Sequence, residues 1–290
     1  MSKPVTVAQT AAWLKEQDRI LILMHQYPDG DTIGSGFALC RALQALGKTV
    51  RTACHDVIPE KYAYMTDGVP QPAFEPDVIV AVDVADPKLL GESLQPLGDR
   101  VALCIDHHGS NKQYAQQLLL DANSTAAAML VAQVIDALGV ELDRAMAECL
   151  YTGVATDSGC FKYSNTDAAA HRLAARMIEL GARIEMINRE MFDVKSRARV
   201  ELERLALESM EFHCHGKVAF MAITNDMIAR SGAVENDMEG LAPIPRQIEG
   251  VWVGVTLRQK ADGSYKVSVR TGTHADASAI CDRLGGGGHM

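Results

Sequence analysis

The sequence predicts an α/β protein in which a parallel sheet with helices on its faces is joined by a helical linker to a smaller α+β domain. Three observations predict it. Up to about residue 190, short apolar runs alternate with stretches of helical pattern, as expected of buried strands joined by crossover helices. Residues 193–213 (DVKSRARVELERLALESMEFH) then carry many charges and no Gly or Pro, with Val200, Leu202, Leu205 and Met210 spaced among them, the mark of an exposed connecting helix. Beyond it, runs rich in β-branched residues follow one another, the last two joined by an Asp-Gly turn signal. A length of 290 residues suits two domains, each with its own core. The boundaries fall at 1–190, 191–214 for the linker, and 215–290.

Taken in order, 19–25 (RILILMH), 48–54 (KTVRTAC), 76–83 (PDVIVAVD) and 100–106 (RVALCID) are too short and too β-branched for helices and are predicted as buried strands. Between them, 31–47 opens with Asp31 and closes with Gly47, placing Phe37, Leu39, Leu43 and Leu46 near one face of a helix. Residues 124–139 show the same pattern, and 166–181 start in an Asn165-Thr166-Asp167 cap and stop at Gly181. In the second domain KVAFMAI, VWVGVTLRQ and YKVSVRT are predicted strands, with KADGS as the hairpin turn.

Composition removes several function classes. Apolar residues at 48% and charged residues at 22% are ordinary globular usage and exclude disorder and coiled coil. The opening MSKPVTVAQT lacks a basic-then-apolar signal, and no apolar run reaches the roughly 18 residues of a membrane helix, so a cytoplasmic protein without a membrane partner is expected. Seven scattered cysteines, never spaced C-x-x-C, argue against disulfides and zinc knuckles. The net charge of −9 lies wholly in residues 1–214, because eight basic and eight acidic residues balance from His215 onward. A protein that coats long nucleic acid would need a basic track, which this chain lacks. A homodimer is allowed by the sequence.

Three of the four predicted strands run into possible metal ligands: His25, Asp83, and Asp106-His107-His108. Ligands of open α/β sheets bind outside the carboxyl ends of the strands, so these side chains can converge although they are distant in sequence. Asp29 and Asp31 add a D-x-D pair in the loop after the first strand, and packing them with Asp83 is repulsive unless cations intervene. Carboxylate oxygens with imidazole nitrogens and no thiolate suit manganese, magnesium or zinc, and the mixed O/N set favours manganese. Two such ions about 3.5–4 Å apart are the standard apparatus for in-line displacement at phosphorus. Singly, each feature has a plainer explanation, since a strand-terminal Asp often only caps the next helix. Jointly they are specific, because caps do not require paired histidines.

Asp157, in GVATDSGCFKYSNT, follows an apolar segment and precedes small residues that admit a ligand; its plain role is a turn or cap. Phe161 and Tyr163 are equally suited to stack a base or to fill the core. His213-Cys214-His215 could bind metal, but at the end of the connector it reads as a plain exposed cluster. Near the C-terminus, Gly285–Gly288 could offer backbone amides to a phosphate, and Arg270 could clamp one with two hydrogen bonds.

These residues resemble the DHH phosphoesterase family, in its nanoRNase/pAp phosphatase branch. HQYPDGDTIGS (25–35), AVDVAD (81–86), CIDHHGSN (104–111) and ATDSGCFKYSNT (155–166) are similar to its four motifs in order. VENDMEGLAPIPRQIEGV and the VSVRT…GGGGH ending resemble the DHH-associated C-terminal domain. The resemblance implies that His25, Asp29 and Asp83 hold one metal and that Asp31, Asp83, His107 and Asp157 hold a second, with Asp83 bridging. It implies that His108 contacts the scissile phosphate, and that Asp106 orients a histidine from behind. It implies that Arg270, Gly286, Gly287 and His289 hold the nucleotide end of the substrate, with the reaction site between the domains. Relatives continue past GGGGH, so the C-terminal domain is expected to be cut short at Met290. Ser158 and Lys162 stand where many relatives carry Thr and Arg, which leaves substrate preference open.

The activity implied is a two-manganese hydrolase, with magnesium or another divalent ion as substitute, that releases 5′-mononucleotides from very short RNA and dephosphorylates 3′-phosphoadenosine 5′-phosphate (pAp). The acidic first domain agrees with a grip on few phosphates rather than a polymer. The alternatives are a relative acting on pyrophosphate or on linear products of cyclic dinucleotides, and a nucleotide-binding regulator with little turnover.

Overall fold

Alternate residues of the central strands enter two different apolar layers, and this division builds the larger part of the molecule. The computed structural model describes residues 2–238 and 240–283. The chain divides into two compact units, one ending at Asp193 and one starting at Val194.

The first unit runs β1 (Lys3–Pro4), α1 (Val7–Glu16), β2 (Ile20–Leu23), α2 (Gly30–Ala45), β3 (Val50–Ala53), a one-turn α3 (Ala63–Thr66), β4 (Val78–Val82), β5 (Leu103–Asp106), β6 (Gln117–Leu120), α4 (Ala127–Leu138), α5 (Arg144–Asp157), α6 (Ala168–Glu179) and α7 (Ile184–Asn188). The six strands form one sheet in the order β1-β6-β5-β4-β2-β3, all parallel. Ile20, Ile22, Val80, Val82, Leu103 and Ile105 point into the larger core beneath the helices. Leu21, Leu23, Ile79, Ala81 and Cys104 point the other way, into a smaller core that also holds Leu90 and Val101. Burial on both faces explains why these strands read as unbroken apolar runs. From β2 the chain turns one way to β3 and then crosses to β4 on the other side, so the switch point that opens a crevice lies between β2 and β4.

The helices fall close to their expected places. The helix expected from residue 124 starts at Ala127, and the one expected over 166–181 is α6, capped by the Asp167 side chain on the Ala170 N–H. Helix α2 begins one residue early, because the Asp29 carboxylate rather than Asp31 takes the free N–H groups of its first turn.

The second unit contains α8 (Arg197–Glu208), β7 (Glu211–His213), β8 (Val218–Ile223), α9 (Asn225–Ser231), β9 (Val253–Gln259), β10 (Tyr265–Thr271) and α10 (Ala277–Arg283). Its sheet has the order β10-β9-β8-β7 and is mixed, with β8 and β9 parallel and the outer pairs antiparallel. The helix expected over 193–213 is shorter. It ends at Glu208, and Glu211–His213 instead pair with Val218–Phe220 as an edge strand. Nor is this helix a bare connector: Leu202 and Ala206 are buried against Met221 and Ile223 in the core of this unit. His213, Cys214 and His215 are all exposed around the β7–β8 turn.

Candidate metal centre

Four carboxylates and three imidazoles meet at the carboxyl ends of β2, β4 and β5, closed by the last turn of α5. His25 follows β2, and its Nε2 lies 3.6 Å from Asp29 Oδ1 and 3.6 Å from Asp83 Oδ2. Asp83 follows β4 with a φ of 60°, a left-handed conformation that costs a non-glycine residue about 1 kcal/mol and that Asp tolerates better than most. Its N–H is tied to the Ile105 carbonyl at 2.9 Å, which anchors the turn and sends the side chain into the crevice.

His107 Nε2 lies 3.7 Å from Asp83 Oδ1, 3.8 Å from Asp31 Oδ2 and 3.4 Å from Asp157 Oδ2. The other ring nitrogen, Nδ1, is 3.1 Å from the Ser124 carbonyl, an acceptor only, so Nδ1 carries a proton and Nε2 is the nitrogen turned toward the carboxylates. His108 Nδ1 is held 2.8 Å from Asp106 Oδ1. Asp106 is fully buried and accepts in addition from the His107 and His108 backbone N–H groups and from the Asn111 amide.

Three ligand-capable groups result: His25 with Asp29 and Asp83, Asp31 with His107 and Asp157, and Asp83 with His107 and His108. Two donors sharing one small cation, each about 2.1 Å from it, lie roughly 3–4 Å apart, which matches the separations above. The sharper observation concerns two atoms. Asp83 Oδ1 and His107 Nε2 are both buried and have no hydrogen-bond partner. Orphaned buried donors and acceptors are rare because each forfeits its hydration, and a shared cation would satisfy both. The donor set and these two atoms therefore fit divalent metal.

Electrostatics without a cation point the same way. Burial and then the nearby Asp31 charge push Asp83 well above the carboxylate range; burial likewise raises Asp31. Burial, with Asp31 and Asp29 adding to it, lifts Asp157 to about 7. Burial opposes a charged His25, but Asp29 and Asp83 outweigh it and hold its pKa at about 10. The hydrogen bond to Asp106 raises His108 to about 9.

Arg270 is exposed on β10 in the second unit, where its guanidinium donates to the Val269 carbonyl at 3.3 Å. Gly286, Gly287 and His289 lie outside the described residues. Phe161 stacks on His171 with ring centroids 5.1 Å apart and packs against the core, whereas Tyr163 stays largely exposed. Ser158 is buried, donates to the Val154 carbonyl and accepts from the Phe161 N–H, a closing role at the end of α5.

Residues 19–154 match the model of the DHH family, N-terminal domain. The "Bifunctional oligoribonuclease and PAP phosphatase NrnA" of Thermus thermophilus is 33% identical over 280 residues, covering 93% of this chain and 82% of its own. The chain belongs to the DHH family. The probable enzyme of the same description from Streptococcus mutans is 22% identical over 96% of this chain and 89% of its own. The crystal structure of an exopolyphosphatase-related protein from Bacteroides fragilis superposes with a TM-score of 0.85 at 24% identity, covering 98% of this chain and 88% of that one, and shares the fold.

In this DHH domain two supporting contacts leave no trace in the local sequence. Asp31 accepts from the backbone N–H groups of Ala127 and Ala128 at 2.7 and 2.9 Å, and from Ser35 Oγ at 3.1 Å. It thus caps α4 from a distance, since the N-cap Ala126 has no side chain to do so. Asn111 fixes Asp106, and only its place in the HHGSN stretch hinted at it.

The shifts above also fix a pH dependence. Asp31, Asp83, Asp157, His25 and His108 all bind protons more tightly when folded than when unfolded, so with metal chelated their contribution is complete at low pH. It is lost as pH rises through about 7 for Asp157 and about 9 to 10 for His108 and His25. In chelator, Tm is expected to fall from pH 6 to pH 9, and manganese should raise it most at the alkaline end, where it competes with fewer protons. A chelated Tm that climbs across this window would contradict the assignment.

Proposed function

We propose that this DHH centre holds two divalent cations, manganese by its donor set, and hydrolyses phosphoesters of very short oligoribonucleotides and of pAp. The observation that carries the reading is the pair of orphaned buried atoms, Asp83 Oδ1 and His107 Nε2, set among three ligand-capable groups. The descriptions of the Thermus and Streptococcus relatives support the substrate class. No helix among the described residues is long and apolar enough to cross a membrane.

His25, Asp29 and Asp83 would hold one cation, and Asp31, Asp83, His107 and Asp157 the other. Bound there, they supply Lewis acidity at the phosphoryl oxygens and lower the pKa of water toward neutrality. The protein's own groups do the rest. His108 is kept protonated near neutral pH by Asp106 and leaves its Nε2–H free to donate to a phosphate oxygen, where charge grows as the bond to the leaving oxygen breaks. Asp106, held by Asn111 and two backbone N–H groups, keeps the His108 ring from turning. Overall, water adds across the P–O bond to the 3′-oxygen, giving one fragment with a 5′-phosphate and one with a 3′-hydroxyl, at least one of them a 5′-mononucleotide when the substrate is a dinucleotide, or giving phosphate and AMP from pAp.

The test is release of mononucleotide from a labelled diribonucleotide and of phosphate from pAp, with manganese, magnesium or chelator. Metal-dependent turnover of both is expected. Preference for pyrophosphate or for linear products of cyclic dinucleotides would replace the substrate assignment, and tight nucleotide binding without hydrolysis would replace the enzyme by a regulator. Arg270 is proposed to hold the nucleotide, so Arg270→Ala should raise KM with little change in kcat. A pure kcat effect would contradict that role.

A further inference from the structure

A cavity of about 570 Å³ opens beside β3, within the size range of small-molecule sites. Met24 and Phe37 form apolar wall, and the Arg51 guanidinium lies over the Phe74 ring, 5.3 Å from its centroid. Among the described residues the Arg51 side chain makes no hydrogen bond or ion pair, and its Nε is buried without a partner. The other buried, unpartnered arginine nitrogen belongs to Arg41, whose guanidinium is nonetheless fixed to the Met65 and Asp67 carbonyls. Gln71 accepts the Thr52 N–H at 2.9 Å through Oε1, which leaves its amide nitrogen as a second donor at the same cavity.

Two wall residues of the cavity neighbour a residue of the candidate metal centre. Met24 precedes His25 in the chain, and Cys54, another wall residue, has its Sγ 3.2 Å from the His25 carbonyl. A cavity that combines the Phe74 ring and apolar wall with the Arg51 guanidinium and the Gln71 amide as donors, beside the Asp56 carboxylate, suits a planar heterocycle with acceptors on its edge. Arginine commonly reads the acceptor edge of a purine, and bases stack on aromatic or guanidinium planes.

We propose that this cavity is a nucleobase site that receives one of the two bases flanking the phosphate at the metal centre. The proposal rests on the oligonucleotide reading above and deepens it: the preference for short substrates would come from a pocket for a base rather than a track for a backbone.

The test pairs enzyme and substrate changes. Diribonucleotides lacking the base at the first or the second position are compared in the parent protein and in Arg51→Met and Phe74→Leu. In the parent, loss of one particular base should raise KM about tenfold. In either variant the intact substrate should already show that rise, and removing the same base should add nothing further. A base penalty as large in both variants as in the parent would overturn the proposal, as would parent-like KM in both. Binding of AMP and of ribose 5-phosphate to chelated protein separates this from failure of the activity. Should no diribonucleotide be cleaved, the oligonucleotide reading falls. AMP should still bind better than ribose 5-phosphate in the parent and lose that advantage in the variants; equal binding of both ligands would overturn the nucleobase site. Phe74→Leu keeps Arg51 intact, so the pair guards against a folding defect in one variant.

Discussion

Asp83→Ala is expected to lower kcat on the order of a thousandfold or more and to weaken retention of both cations. The size follows from the loss of a group on which the electrostatics of the reaction centre depend. Asp83 is the carboxylate common to the His25–Asp29 group and to the His107–His108 group, and it is buried. What separates this from simple misfolding is the sign of the stability change. With metal chelated, the site is a cluster of carboxylates in which burial first, and then the Asp31 charge, raise the pKa of Asp83. Removing one of them relieves repulsion, so Asp83→Asn, which keeps the shape and tolerates the left-handed backbone, should be no less stable than the parent in chelator. Manganese titration by calorimetry together with thermal melts reads both effects. Activity near that of the parent in Asp83→Ala would refute the site.

The second large effect lies in the packing that sets the distance across the site. Gly34→Ala should lower stability by about 3 kcal/mol, the upper end of ordinary overpacking costs. A Cβ at Gly34 on α2 would stand 2.3 Å from the Cys149 carbonyl oxygen of α5 and 3.3 Å from the Gly153 nitrogen, and backbone atoms cannot rotate aside. Gly153 in turn faces Asp31, where a Cβ would come within 2.8 Å of Oδ1. The two helices carry Asp31 and Asp157, so forcing them apart should weaken manganese binding as well as lower Tm by roughly 10 °C. A thermal melt and a metal titration like those of the parent would show that the close approach is dispensable.

Much of this was legible in the sequence, and particular residues show why. Strands β2, β4 and β5 could be read because burial on both faces leaves them continuously apolar, and their ends could be read as a site because His25, Asp83 and Asp106-His107-His108 occur where such sheets bind ligands. Helix α5 could not be assigned as a unit. Thr152, Gly153 and Thr156 weaken helix propensity, and only the neighbouring α4 and α2, through Ala128 and Asp31, explain a small residue at Gly153. Strands β1 and β6 escaped because a two-residue edge strand and QLLL carry too little local pattern. The turn from α8 into β7 escaped for another reason: Glu211–His213 are strand only through pairing with β8, a contact with no trace in 193–213. In the candidate site the convergence of carboxylates and imidazoles was legible, whereas the Asp31 cap on α4 and the Asn111 support of Asp106 are tertiary contacts.

The most direct measurement is the anomalous difference map at the manganese edge from crystals of the full chain soaked in manganese. Two peaks are expected, one among His25, Asp29 and Asp83, the other among Asp31, His107 and Asp157, with Asp83 reaching both. A single peak, or manganese bound elsewhere while these residues keep only each other, would contradict the account.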